Sequence, residues 1–280
     1  MLPHSPNKEM KENVHQASSQ LKPWVRKYAR FGFMAKGTIF ILVGIFSLLT
    51  ACGYGSKAKG TNGAFHSVAA KPFGEVLLWI IGIGLIGYIL WLLLEFFRGP
   101  STKDKPLKRY GRKVASIIKC AIYIGLAANA LSIAIHAGQS GNSKETWTAR
   151  LLAASYGPWV VGIVGAIVLG VGVYHIYEGL TGSFISEFRT AEMSEPEVQA
   201  AISAGRIGLM SRGVVFIILG YFIVRMAITV NPNNPLSLDG ALEKILEQRY
   251  GAWLLGAVSI GLAFYGLYEI LKGKNKNIII

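Results

Sequence analysis

The sequence is short of charge. Asp, Glu, Lys and Arg make up only 16% of its 280 residues, and 52% are hydrophobic; a soluble domain carries about 25% charge. Its two cysteines, Cys52 and Cys120, are too few for a disulfide framework. They fall at opposite ends of predicted membrane helices, too far apart to bridge, and read as inert. There is no HExxH, GxSxG, P-loop or paired CxxC, so the usual grounds for a metalloprotease, hydrolase, nucleotide-binding or redox assignment are missing. "GIGLIG" at 82–87 has dinucleotide-fingerprint spacing but lies inside an apolar helix with no strand before it, which makes it a packing motif. No histidine pair at matched depth suggests haem. Nothing supports an enzyme, and no cofactor or metal is expected. The first 22 residues offer no apolar core before a small-residue cleavage site, so the first hydrophobic segment is expected to insert uncleaved.

What the chain does have is six nearly uncharged stretches, roughly 33–52, 76–97, 114–135, 159–180, 207–230 and 252–271. Each is about 20 residues, enough at ~1.5 Å per residue to cross ~30 Å of hydrocarbon. The expected fold class is all-α integral membrane with six transmembrane helices. Basic residues crowd the loop ends that share a side with both termini: Lys22, Arg26, Lys27 and Arg30, then Lys105, Lys108, Arg109, Arg112 and Lys113, then Lys272 and Lys274. Both termini are therefore expected in the cytoplasm of a cell inner membrane. The net charge of +14 becomes a collar that favours anionic lipid headgroups. Nucleic acid is not expected as a partner, because the charge is spread along loop edges without a binding module.

The stretches repeat in pairs. Lys36, Lys119 and Arg212 align, with Gly32, Ala115 and Gly208 four residues before, Phe40, Tyr123 and Phe216 four after, and Gly44, Ala127 and Gly220 four further on. The second helix of each pair carries G-x3-[WY]-x3-E-x3-G: Gly87, Trp91, Glu95, Gly99; Gly170, Tyr174, Glu178, Gly182; Gly261, Tyr265, Glu269, Gly273. Loop segments 63–74 and 240–251 also match, with 146–157 a looser third copy, and each reads as a short amphipathic helix. The organisation expected is a polar tail 1–23, repeats at 24–100, 101–186 and 207–273, an acidic connector 187–206 and a tail 274–280. Three tandem two-helix repeats should be related by a pseudo-threefold axis along the membrane normal.

Residues four apart form a ridge on one side of a helix. Small members let backbones approach, and the basic and acidic members of facing ridges fall at one depth. An intramembrane charge clasp of Lys36, Lys119 and Arg212 with Glu95, Glu178 and Glu269 is the expectation, with an aromatic layer of Phe40, Tyr123, Phe216, Trp91, Tyr174 and Tyr265 beside it. Each Glu could take the base of its own unit or of a neighbouring one. The clasp could fix helix register, ring a cavity that gates or binds a solute, or face another subunit. Three residues break the symmetry. His175 precedes Glu178 by about one turn and is either a packed histidine or half of a proton relay. Arg225 either snorkels or binds a ligand, and Asn129 suggests an interhelical hydrogen bond. "SEPE" at 194–197 reads as a capping box of Ser194 with Glu197, in a loop 182–206 that is a solvated connector or a protein-docking surface.

The segments "ARFGFMAKGTIFILVG", "SRGVVFIILG" and "GAFHSVAAKPFG" resemble the bacterial membrane proteins grouped as domain of unknown function 1206. The resemblance covers residues 24 to 273, with a basic-Gly-x2-aromatic signature in units one and three and Cys120 in place of the glycine in unit two. It implies a six-helix inner-membrane protein of three repeats and brings no activity or catalytic residue. The functional expectation is a structural or interaction protein of the envelope, with a transporter or channel for a small solute or ion as the alternative.

Overall fold

The computed structural model describes residues 6–54, 59–97, 106–135, 156–229 and 238–275. Among these it is all-helical: α1 (Pro6–Ala51), α2 (Thr61–Ala69), α3 (Gly74–Phe97), α4 (Pro106–Ile135), α5 (Gly157–Thr181), α6 (Glu195–Thr229), α7 (Leu238–Leu246) and α8 (Gly251–Asn275), with two 3-10 turns, Ser183–Glu187 and Thr190–Glu192, between α5 and α6. α1 runs from Pro6 through the polar residues that precede the first apolar stretch. Pro158 sits in the first turn of α5, where its missing N–H is not needed. Gly182 ends that helix in the left-handed region, with φ of 70° and its N–H donating to the Glu178 carbonyl.

Among the described residues five helices have segments long and apolar enough to cross a membrane: Lys27–Ala51, Gly74–Leu94, Gly157–Thr181, Glu195–Thr229 and Gly251–Asn275. In α4 the apolar run is residues 114–135, broken by Lys119 alone. The first half of that helix is occupied by Lys108, Arg109, Arg112 and Lys113.

The long helices pack in the order α4, α3, α1, α8, α6, α5, each against the next. The first and last units of the chain are thus joined through α1 and α8. Among the described residues α4 and α5 share no packed interface, so the bundle is unclosed within the second unit.

Two of the interfaces are the same interface. A Cβ on Gly37 of α1 would fall 2.5 Å from the Gly266 carbonyl oxygen and 2.6 Å from Ile270 of α8; one on Gly213 of α6 would fall 2.8 Å from the Gly172 carbonyl oxygen and 2.7 Å from Ile176 of α5. Gly44 meets Ser259 and Ala263 as Gly220 meets Gly165 and Leu169, and Gly273 meets Arg30 as Gly179 meets Arg206. In this register α8 is displaced by nearly one turn from the alignment of the G-x3-[WY]-x3-E-x3-G motifs. Glu269 takes the place of His175, and Lys272 the place of Glu178. The pairs α1/α3 and α6/α8 agree: Gly32 abuts Tyr88 and Gly84 abuts Ala35, as Gly208 abuts Tyr265 and Gly261 abuts Ser211. By these contacts Leu92 of α3 also corresponds to Glu269.

Both short loop helices form, α2 and α7, and they pack on each other at one end of the bundle. The Asp239 carboxylate accepts from the backbone N–H of Gly63 at 2.9 Å and of Asn62 at 3.3 Å, so the third unit caps the N-terminus of a first-unit helix. The third loop segment lies almost wholly outside the described residues.

A buried charge and tyrosine cluster

Near the middle of the bundle Lys36 is 5% exposed and Glu269 2% exposed. Lys36 Nζ lies 2.9 Å from Glu269 Oε1, and the same oxygen accepts from the Tyr265 hydroxyl at 2.5 Å. Arg212 donates through Nη1 to that hydroxyl. Lys36 also stands 5.1 Å from the Tyr88 ring centroid and 5.6 Å from those of Tyr123 and Tyr265. The Arg212 guanidinium rests on the rings of Phe40, Phe216 and Tyr265, at 5.5, 4.7 and 4.6 Å. Tyr123 faces the guanidinium from α4. His175 lies 5.9 Å from Phe216, centroid to centroid. Lys36 on α1, Tyr88 on α3, Tyr123 on α4, His175 on α5, Arg212 on α6, and Tyr265 with Glu269 on α8 therefore converge, so every long helix contributes.

The ion pair joins a base of the first unit to an acid of the third, one of the two pairings left open by the sequence. It is held by backbone contact, since Gly37 follows Lys36 and meets Gly266, three residues before Glu269. A buried pair is stabilised against its desolvation by further hydrogen bonds and aromatic faces. Both are present on the Oε1 side. Glu269 Oε2 and Arg212 Nε are buried without a partner.

The other sequence candidates are distributed as follows. Lys119 is exposed and turned away from the cluster, because Ser116, Cys120, Tyr123 and Ala127 occupy the buried face of α4. The Glu95 side chain lies outside the described residues. Glu178 is buried and lies 3.4 Å from His175 Nδ1. Of the aromatic layer, Phe40, Tyr123 and Tyr265 are buried, Trp91 and Phe216 are half-buried, and Tyr174 is exposed. Trp91 packs on Phe33 at 5.0 Å, whereas Phe40 meets Tyr265 edge-on at 4.8 Å. Arg225 is exposed near the end of α6. Asn129 donates to the Asn62 side chain of α2 at 2.7 Å. The Glu197 carboxylate accepts from the Ser194 N–H at 3.2 Å.

Sequence reasoning missed Tyr88 and the layer around Lys272. Lys272 pairs with Glu187 of the connector at 2.9 Å and donates to the Tyr268 hydroxyl at 3.2 Å. Phe184 and Phe188 close over Tyr268 at 5.4 and 5.7 Å, and the Arg189 N–H donates to the Asn275 carbonyl at 3.0 Å, tying the connector to the end of α8. The visible signal was the spacing of Glu269 and Lys272, three apart on one helix face.

Membrane-length helices packed around a buried ion pair define a class, the multi-pass helical membrane protein. The chain belongs to the family described as Domain of Unknown Function (DUF1206), whose model matches it three times, at 31–98, 114–182 and 207–276. The second and third copies end at 182 and 276, in step with the contact-derived correspondence of Gly179 with Gly273. An uncharacterized protein of Bacillus subtilis (strain 168), YxxB, is 34% identical over 260 residues, which are 93% of this chain and 94% of that protein. No solved structure matches.

Proposed function

We propose that the protein is a structural or interaction protein of a bacterial inner membrane, with six spans, three units about a pseudo-threefold axis along the membrane normal, and both termini cytoplasmic. α4 serves as the sixth span: a 30-residue helix is about 45 Å long, and its basic half reaches the headgroups on the side that also carries Lys272 and Lys274. The observation that carries the reading is the Lys36–Glu269 pair, at 2.9 Å, clamped between touching backbones of the first and last units. Groups fixed this way set the register of helices. Removing one member strands the other charge in a low dielectric, at a cost of about 3–5 kcal/mol, and replacing both with apolar residues recovers much of that loss. In detergent, Glu269→Gln should lower the melting temperature strongly and the double variant Lys36→Leu/Glu269→Leu should restore part of it. Wild-type melting in Glu269→Gln would overturn the reading.

A transporter or channel is the second reading. It is favoured by the unclosed side between α4 and α5 and by the partial exposure of Arg212 and His175. Single cysteines at 178 and 269, with Cys52 and Cys120 replaced, test it: labelling by an impermeant thiol reagent from the outer face indicates an aqueous route, which the clasp does not need.

A further inference from the structure

The interface that recurs in the bundle is electrically complete in only one copy. At α1/α8, Lys36 faces Glu269. At α6/α5, which the glycine contacts superpose on it, Arg212 stands where Lys36 stands and His175 stands where Glu269 stands. Among the described residues no carboxylate lies within the 4.0 Å ion-pair distance of Arg212. Glu178, the carboxylate of α5, is turned to His175, and Glu187 is paired with Lys272. A guanidinium keeps its charge at any physiological pH, and an intramembrane charge without a counter-charge costs several kcal/mol.

The geometry around Arg212 is unfinished in a second way. Nη1 is used by the Tyr265 hydroxyl and the flat faces by aromatic rings, but Nε is buried with no acceptor. Nε and the adjacent terminal nitrogen form an edge of the guanidinium that takes a carboxylate or phosphate through two parallel hydrogen bonds. Arg212 and His175 are also only half-buried, and α5, which carries His175, borders the unclosed side of the bundle.

We propose that Arg212, with the hydroxyl of Tyr123, forms a binding site for an anionic oxygen group, a phosphate or a carboxylate, that enters between α4 and α5. The bound group supplies to Arg212 the charge that Glu269 supplies to Lys36. It is either the headgroup of an anionic lipid reaching in sideways or a dissolved anion. The site stands whether or not the Lys36–Glu269 pair is a structural clasp.

The test uses the purified full-length protein in a neutral detergent, with its melting temperature read against four additions at fixed ionic strength: phosphatidylglycerol, phosphatidylcholine, inorganic phosphate and acetate. A saturating ligand should raise melting by roughly 5 °C. A rise with phosphatidylglycerol and none with phosphatidylcholine assigns the lipid headgroup, and a rise with phosphate or acetate alone assigns a dissolved anion. Arg212→Gln should abolish either rise. Because that variant could fail to fold, His175→Glu is the deciding one. It places a carboxylate opposite Arg212 as Glu269 stands opposite Lys36, so it should melt at or above the wild type without any addition and gain nothing from one. No rise with any of the four additions, or a rise that survives in His175→Glu, overturns the proposal.

Discussion

Gly37 and Gly266 meet backbone to backbone: a Cβ on either would fall 2.5 Å from the carbonyl oxygen of the other. That contact fixes the rotation of α1 against α8 and brings Lys36 to Glu269. With no hydrophobic force to hold helices together in lipid, such close approach supplies the packing energy.

Gly37→Ala and Gly213→Ala should each lower stability by about 1–3 kcal/mol, the usual cost of overpacking. Gly125→Ala and Gly170→Ala have room and should be neutral, or stabilising by up to about 1 kcal/mol through helix propensity. Melting in detergent separates the two pairs, and equal effects at all four positions would contradict the packing.

Asp239 holds two backbone donors of α2. Asp239→Ala should cost about 1 kcal/mol and speed amide exchange at Asn62 and Gly63, while Asp239→Asn keeps an acceptor and most of the protection. Exchange confined to α7 would show that the cap does not bridge the units.

The connector is anchored by Phe184, 1% exposed and packed on Gly205 and Tyr268. Phe184→Ala should cost about 3 kcal/mol, with faster exchange over residues 183–192 before the long helices respond. Simultaneous loss of protection everywhere would mean that the connector is not a separately opening unit.

Cys52 is exposed and Cys120 is buried. In the six-span orientation, an impermeant maleimide added to intact cells exposing the outer face should label Cys52 within minutes and Cys120 only after denaturation. Labelling of Cys52 only from the cytoplasmic face would invert the topology.

The three units, the two short loop helices and the Ser194–Glu197 cap were legible because each rests on local pattern: hydrophobic run length, amphipathic spacing, a capping pair. The register of the last helix was not. A ridge of small, aromatic and acidic residues every four positions nearly superposes on itself after a shift of one turn, so matching motifs in sequence leaves the turn undecided. Contacts decide it. Ser259, Ala263 and Gly266 of α8 meet the glycines of α1, and that puts Glu269 level with His175 and Leu92. The exposure of Lys119 was equally hidden. Which face of α4 turns inward is chosen by Ser116, Cys120 and Tyr123 together, and a single aligned basic position carries little of that information.

The pairing of Lys36 with Glu269 also imposes an order on the life of the chain. Among the described long helices, α1 with Lys36 is made before all the others and α8 with Glu269 after them. In the membrane, the nascent chain must carry an unmatched ammonium group, sheltered by the insertion machinery or snorkelling to the surface, until α8 has been made. Fragments that stop before α8 never acquire the counter-charge. α8 thus completes a charge balance that α1 opens.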